Sequence, residues 1–239
     1  KNIEDFYKII DEFEPDFVIN AIGITKQISN IDEKETIYIN GEFPHLISEY
    51  VKNIELMVQL STDCVFSGEK GNYIETDIVD AKDVYGKSKS MGEIILDNVI
   101  TIRKSTIGFE LSEPHGLFEW WYRSSGKISG FDNAIYSGMT TSNLTKILKQ
   151  ILEKENKSFG LFNISSHPIS KYELLCNLNK ISGRDDLIIE RDSEFSCDRS
   201  LNGKLFEEKF EIEVPNWIKM LTELWDERFF YERFRKIKR

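Results

Sequence analysis

Apolar positions along the chain fall into two alternating periods. Ile3, Phe6, Tyr7, Ile10 and Phe13 recur at helical spacing and predict an amphipathic helix that Pro15 ends. Asp16-Phe17-Val18-Ile19-Asn20 reads as a short buried strand, with Ala21-Ile22-Gly23 a small-residue turn at its carboxyl end. Phe43, Leu46, Ile47, Tyr50 and Val51 mark a second helix, with Pro44 in the first turn, where a missing N–H costs nothing. Asn40 before it reads as a cap or a residue beside a cofactor. Leu56-Met57-Val58-Gln59-Leu60 is a buried strand, and a helix opens at Tyr85, with Met91, Ile94 and Ile95 placed to face a sheet. Residues 98–103 form the next strand, rising to Ser105 and Gly108. Strand alternating with helix predicts an α/β fold with a parallel, doubly wound, Rossmann-like sheet and right-handed crossovers.

Beyond Gly108 the pattern loosens. Phe118, Trp120, Trp121 and Tyr122 form an aromatic cluster, read as helix core or as a stacking face for a nucleotide base. Gly126 to Gly138 reads as turns and short strands. Thr141 can cap a helix through Leu152, residues 159–164 suggest a strand, and Ser170 can cap a helix to Ser182. Arg228, Arg233, Arg235, Lys236, Lys238 and Arg239 punctuate the tail as a solvated helix end or an anion-facing surface. No repeat or linker divides the chain. Residues 1–108 are expected to form a dinucleotide-binding domain, incomplete at its start. Residues 109–239 are expected to form a smaller α+β substrate domain interleaved with it.

Composition narrows the function. With 40% hydrophobic residues among 239, there is enough apolar material for a sizeable core. A net charge of −10 provides no positive field for non-specific nucleic-acid binding. Cys64, Cys176 and Cys197 are odd in number and widely spaced, which suits a reducing cytoplasm. His45, His115 and His167 show no ligand spacing, so no metal site is expected. No apolar run is long enough to span a membrane, and no signal peptide opens the chain.

The candidate chemistry lies in Tyr85-Gly86-Lys87-Ser88-Lys89. At the start of a helix, Tyr85 and Lys89 share one face, one turn apart. An ammonium beside a phenol favours the phenolate, lowering the tyrosine from its usual value of about 10. Such a tyrosine can exchange a proton with a carbonyl or alcohol oxygen. Upstream, strand 56–60 runs into Ser61-Thr62-Asp63-Cys64-Val65-Phe66-Ser67-Gly68, hydroxyl residues at the carboxyl end of a strand, where open α/β sheets place their ligand chemistry. Gly71-Asn72-Tyr73-Ile74-Glu75-Thr76-Asp77 is a polar loop between them.

Strand, Ser-Thr, polar loop and Tyr-x-x-x-Lys together resemble the extended short-chain dehydrogenase/reductase superfamily. Within it the chain is most similar to the dTDP-4-dehydrorhamnose reductase family of nucleotide-sugar reductases. The resemblance implies NADP or NAD as cofactor, a nucleotide-linked 4-keto-6-deoxy sugar as substrate, surface polysaccharide biosynthesis, and a possible homodimer. It implies Thr62, Tyr85 and Lys89 as catalytic residues. Asn20, Ala21, Gly23, Ser61, Tyr85 and Lys89 would bind the cofactor, unless residues 20–23 are an ordinary strand-to-loop turn. Thr62, Asp63, Cys64, Val65, Phe66 and Ser105 would face the substrate. No glycine-rich turn precedes Gly23, so the resemblance implies a chain shown from after its first two βα units, and the NAD-versus-NADP determinant is not legible. Three departures stand out: Cys64 where the family has tyrosine, Lys104 and Thr106 where it has threonine and tryptophan, and Ser137-Gly138-Met139-Thr140-Thr141 where it has proline before threonine. Nucleotide-sugar dehydratases carry glutamate at the position of Cys64, so elimination chemistry is disfavoured. A non-catalytic regulatory subunit, as the β subunit of methionine adenosyltransferase exemplifies, and an epimerase are the alternatives.

Overall fold

The computed structural model describes residues 3–26, 29, 32–111 and 115–237. Helix α1 (Ile3–Phe13) lays Ile3, Phe6 and Ile10 against a small core built on Phe43, Ile47, Val51, Met57 and Val99. Strand β1 (Phe17–Asn20) follows. A short helix α2 (Glu33–Ile37), capped by Asp32, runs through a π-helical turn (Tyr38–Glu42) into α3 (Phe43–Tyr50). Strand β2 (Leu56–Leu60), helix α4 (Val84–Met91) and strand β3 (Val99–Arg103) complete the alternation. Much later β7 (Gly160–Asn163) joins them.

These strands form one parallel sheet in the order β1-β2-β3-β7, with Asn20 opposite Gln59, Leu60 opposite Ile102 and Arg103 opposite Asn163. Its middle strands are buried almost throughout, which is why they read as continuous apolar runs rather than alternating ones. Among the described residues β1 is an edge, and Phe17 and Ile19 are exposed on it. All four strands point their carboxyl ends the same way, and the polar loops gather there.

The second half is built differently from its local pattern. After a two-residue strand β4 (Thr106–Ile107) and helix α5 (Leu117–Arg123), the segment read as turns and short strands is a single strand β5 (Gly126–Tyr136). Gly126, Gly130, Asp132 and Asn133 suggest turns locally. Strand β9 (Leu187–Asp198) supplies a long parallel ladder instead, and a bulge between Phe131 and Asn133 absorbs the irregularity. Strand β6 (Met139–Thr140) pairs with β4, and β8 (Ile169–Ser170) pairs antiparallel with β5. Helix α6 (Thr141–Glu153) is capped by Thr140 rather than Thr141. Helix α7 (Lys171–Ser182) carries a full capping box, Ser170 with Glu173.

Helices α8 (Lys204–Phe210), α9 (Trp217–Asp226) and α10 (Arg228–Ile237) end the described chain. Phe206, Phe210, Met220, Leu221 and Leu224 join Val58, Ile100 and Ile102 in one core that runs from the parallel sheet into the second half. The aromatic cluster divides. Phe118 and Trp121 are fully buried, whereas Trp120 is 44% exposed. The tail is more than a solvated end. Arg235 donates to the Glu110 carbonyl at 3.1 Å through Nε and pairs with the fully buried Glu119. Lys238 and Arg239 lie outside the described residues.

Candidate active site

The site is assembled at the carboxyl end of β2. Thr62 is extended and caps a 3₁₀ turn (Asp63–Val65), its Oγ1 accepting from the Cys64 N–H at 3.1 Å and donating to Asp63 Oδ1 at 3.1 Å. The turn is held against the strand after β3, where the Asp63 N–H donates to the Lys104 carbonyl at 3.2 Å. Helix α4 starts at an Asp83 cap that accepts from the Gly86 N–H at 2.7 Å and pairs with Lys26. Gly86 lets this helix touch the turn, since a Cβ there would lie 2.2 Å from the Cys64 carbonyl oxygen. Tyr85 is thereby brought beside Thr62, whose hydroxyl lies close enough to favour the phenolate.

The phenol nevertheless does not behave as the sequence predicts. Burial, with the electrostatic influence of Cys64, Asp63 and Asp83, pushes Tyr85 above its ordinary value and outweighs Thr62. Lys89 is not among the largest influences on it. Its ammonium is buried and donates to the Leu60 carbonyl at 2.7 Å. Tyr85 is therefore a neutral, proton-bearing group across the physiological range, suited to donate rather than to accept.

Burial, then the positive charge of Lys104, lowers Lys89 from 10.5 to about 8, against the pull of Glu93. Between these values the unfolded chain holds more protons than the folded one. The penalty of burying the ammonium, about 3 kcal/mol, is therefore full below pH 8 and fades as pH rises towards 10.5. Lys89→Met is expected to raise Tm at pH 7 and to flatten the gain in stability above pH 8. Calorimetry across that range tests this, and a lower Tm at pH 7 for the variant would contradict it.

The other predicted residues separate into those that face open space and those that do not. Gly23 leaves room beside Lys89: a Cβ there would meet Asn40 Oδ1 at 3.3 Å and Lys89 Nζ at 3.9 Å. Gly23 thus lets the backbone after β1 pass close to both Asn40 and Lys89. Asn20 spends its side chain within the protein, donating to Gln59 Oε1 at 2.7 Å and accepting from the Ile22 N–H at 3.1 Å. Asn40 is not a cap. Buried in the π-helical turn, it accepts from the Ile24 N–H at 2.8 Å and donates to the Ile24 carbonyl at 3.0 Å and Ser88 Oγ at 3.1 Å. It ties the loop after β1 to the helix of Tyr85. Ser61 donates to Glu93 Oε1 at 2.7 Å, so its hydroxyl serves a buried ion pair rather than open space. Val65 and Phe66 are fully buried in a small core with Tyr73 and Leu201, and their expected place against the substrate is corrected to packing. Helix α4 stops at Met91, so Met91 and Ile95 are exposed and only Ile94 packs inward.

Asp63, Cys64 and Ser105 line a cavity of about 290 Å³ between the two halves, together with Thr106, Tyr136 and Arg199. Burial pushes the Asp63 carboxyl up, opposed by the Thr62 hydroxyl, Arg199 and Lys104. Burial and Asp63 push Cys64 up to about 12, so it remains a thiol. Tyr136 and Arg199 were missed by sequence reasoning. They arrive from β5 and from the segment after β9, and no local signal links them to Thr62. Arg199 is placed by donating to the Phe66 carbonyl at 2.8 Å and the Ser67 carbonyl at 3.2 Å. Lys104 had a signal, as a departure from the family pattern; it is half-buried within reach of the Asp63 charge, and desolvation lowers its ammonium.

The parallel sheet and the residues at the end of β2 define a Rossmann-like α/β fold, and their arrangement resembles that of the short-chain dehydrogenase/reductases. Within that class the chain resembles the dTDP-4-dehydrorhamnose reductases. Residues 1–107 match the family model described as the RmlD substrate binding domain. The chain is 28% identical over 193 residues to a dTDP-4-dehydrorhamnose reductase of Aggregatibacter actinomycetemcomitans, covering 72% of this chain and 63% of that protein. It is 36% identical over 104 residues to the spore coat polysaccharide biosynthesis protein SpsK of Bacillus subtilis (strain 168), covering 40% of this chain and 34% of the relative. It thus spans less than two thirds of the length of either relative. Among solved structures, dTDP-4-dehydrorhamnose reductase from Bacillus anthracis str. Ames in complex with NADP superposes with a TM-score of 0.80 at 17% identity, covering 95% of this chain and 85% of that one, which establishes the fold.

Proposed function

We propose that this chain carries the catalytic centre of an NAD(P)H-dependent reductase acting on a nucleotide-linked 4-keto-6-deoxy sugar. The observation that carries the reading is the meeting of Thr62 and the proton-bearing Tyr85 close to the sugar-sized cavity, with Lys89 one turn along the same helix. The names of the relatives and the NADP in the B. anthracis structure support it.

The nicotinamide, when bound, supplies the hydride for the ketone carbon. The chain does the rest. Backbone 21–23 and the Lys89 ammonium would hold the cofactor ribose. Thr62 Oγ1 turns its one proton from Asp63 Oδ1 to the ketone oxygen and keeps it in line with Tyr85. The Tyr85 phenol gives its proton to that oxygen as negative charge develops there. Cys64, a neutral thiol where elimination would need a base, speaks against a dehydratase. Among the described residues no helix is long and apolar enough to cross a membrane. A cytoplasmic homodimer is the assembly the family resemblance suggests, and sedimentation of the full-length protein tests it.

Oxidation of NADH and NADPH by the full-length protein, followed at the nicotinamide absorbance with a panel of nucleotide 4-keto-6-deoxy sugars, tests the reading. Stoichiometric oxidation with one sugar is expected. No oxidation across the panel by folded, cofactor-binding protein would favour the regulatory subunit instead.

A further inference from the structure

Tyr136 ends β5 and forms part of the wall of the cavity beyond Thr62. The residue is 7% exposed, and its hydroxyl is shielded from solvent and has no hydrogen-bond partner. Its ring is held in place. Trp217 packs 5.3 Å away between ring centroids, and a Cβ on Gly138 would lie 2.8 Å from the Tyr136 ring edge. Burial and the charge of Asp63 keep it a neutral phenol, with one proton to give and lone pairs to share. Asp63 lines the same cavity and also feels Arg199. Arg199 spends Nε and Nη2 on carbonyls.

A buried hydroxyl without a partner lowers the stability of the free protein, and native proteins rarely keep one without a use. The residue borders the cavity, so a ligand that parts the wall atoms over the hydroxyl would find an unpartnered donor there. We infer that Tyr136, with Arg199 beside it, is a specificity residue that grips an oxygen on the hexose other than the reacting ketone, so that a sugar lacking oxygen at that ring carbon is rejected. This deepens the nucleotide-sugar reading and rests on it. A hydroxyl and an acylamino carbonyl present the same accepting oxygen, and the choice between them is left to the substrate panel.

The test compares full-length wild type and Tyr136→Phe on dTDP-4-dehydrorhamnose, on its 2-deoxy and 3-deoxy counterparts, and on a 3-acylamino counterpart. The wild type is expected to prefer an oxygen-bearing sugar over the matching deoxy sugar by about 10- to 100-fold in kcat/KM. The variant is expected to lose that preference by slowing on the oxygen-bearing sugar alone. Its Tm is expected to equal or exceed that of the wild type, because the lost hydroxyl had no partner. The preferred member of the panel identifies hydroxyl or carbonyl as the gripped oxygen. Turnover with the same preference in both proteins overturns the inference and leaves the reductase reading standing. A wild type that turns over none of the sugars sinks that reading, and the inference with it.

Discussion

Replacing Tyr85 by phenylalanine is expected to lower kcat by about 10²- to 10⁴-fold, the contribution of a positioned general acid, while nicotinamide binding persists. The substitution removes one oxygen and leaves the ring to pack against the turn at Thr62. Because burial holds the phenol above its ordinary value, the wild-type group stays protonated at neutral pH and serves as donor without a preceding ionisation. The loss should therefore appear in kcat on the ketone sugar and be nearly constant from pH 6 to 8. Single-turnover oxidation of bound cofactor separates this from slower product release. A variant within threefold of wild type in that measurement would remove Tyr85 from the chemistry.

The largest expected effect on stability comes from Arg103. Its guanidinium makes a bidentate pair with Glu93, Nε to Oε1 at 2.8 Å and Nη2 to Oε2 at 2.7 Å, with Arg103 and Glu93 side chains only 4% and 10% exposed. It also donates to the Glu75 carbonyl at 3.2 Å and lies 5.0 Å from the Phe66 ring centroid. Ser61 completes the network on Glu93. Arg103→Met leaves a buried carboxylate with a hydroxyl for its partner, which costs about 3–5 kcal/mol. At about 2–4 °C per kcal/mol for a chain of this size, Tm falls by roughly 10 °C. The double variant Arg103→Met/Glu93→Leu should recover most of the loss, because it removes both charges. If the double variant is no more stable than the single one, the network matters through packing rather than charge. Thr62 follows Ser61 directly, so the single variant should also lose activity in excess of its unfolded fraction.

Much of the first half was legible in the residues. Strands at 17–20, 56–60 and 99–103 are short apolar runs bounded by polar loops, and a parallel sheet buried on both faces produces that pattern. Pro44 and Ser170 marked helix starts, the one because a first-turn proline gives up no intrahelical bond and the other because a cap acts over three residues. Thr62, Tyr85 and Lys89 could be picked out because they stand at the end of a strand and on one face of a helix. The second half was less legible. Strand β9 alternates weakly and is largely exposed, so no periodicity marks it, and β5 shows as a strand only against that partner sixty residues away.

Sequence by itself determined the class of fold, the place of the candidate residues Thr62, Tyr85 and Lys89, and a thiol rather than a carboxylate at Cys64. These depend on local propensity and on spacings of one to four residues. Tertiary structure decided what those residues do. It turned Lys89 to the Leu60 carbonyl, gave Ser61 to Glu93, sent Val65 and Phe66 into a core, and brought Tyr136 and Arg199 to the cavity. It also reversed the expected shift of Tyr85, because the desolvation of a phenol depends on everything packed around it, and four residues of helix do not encode that.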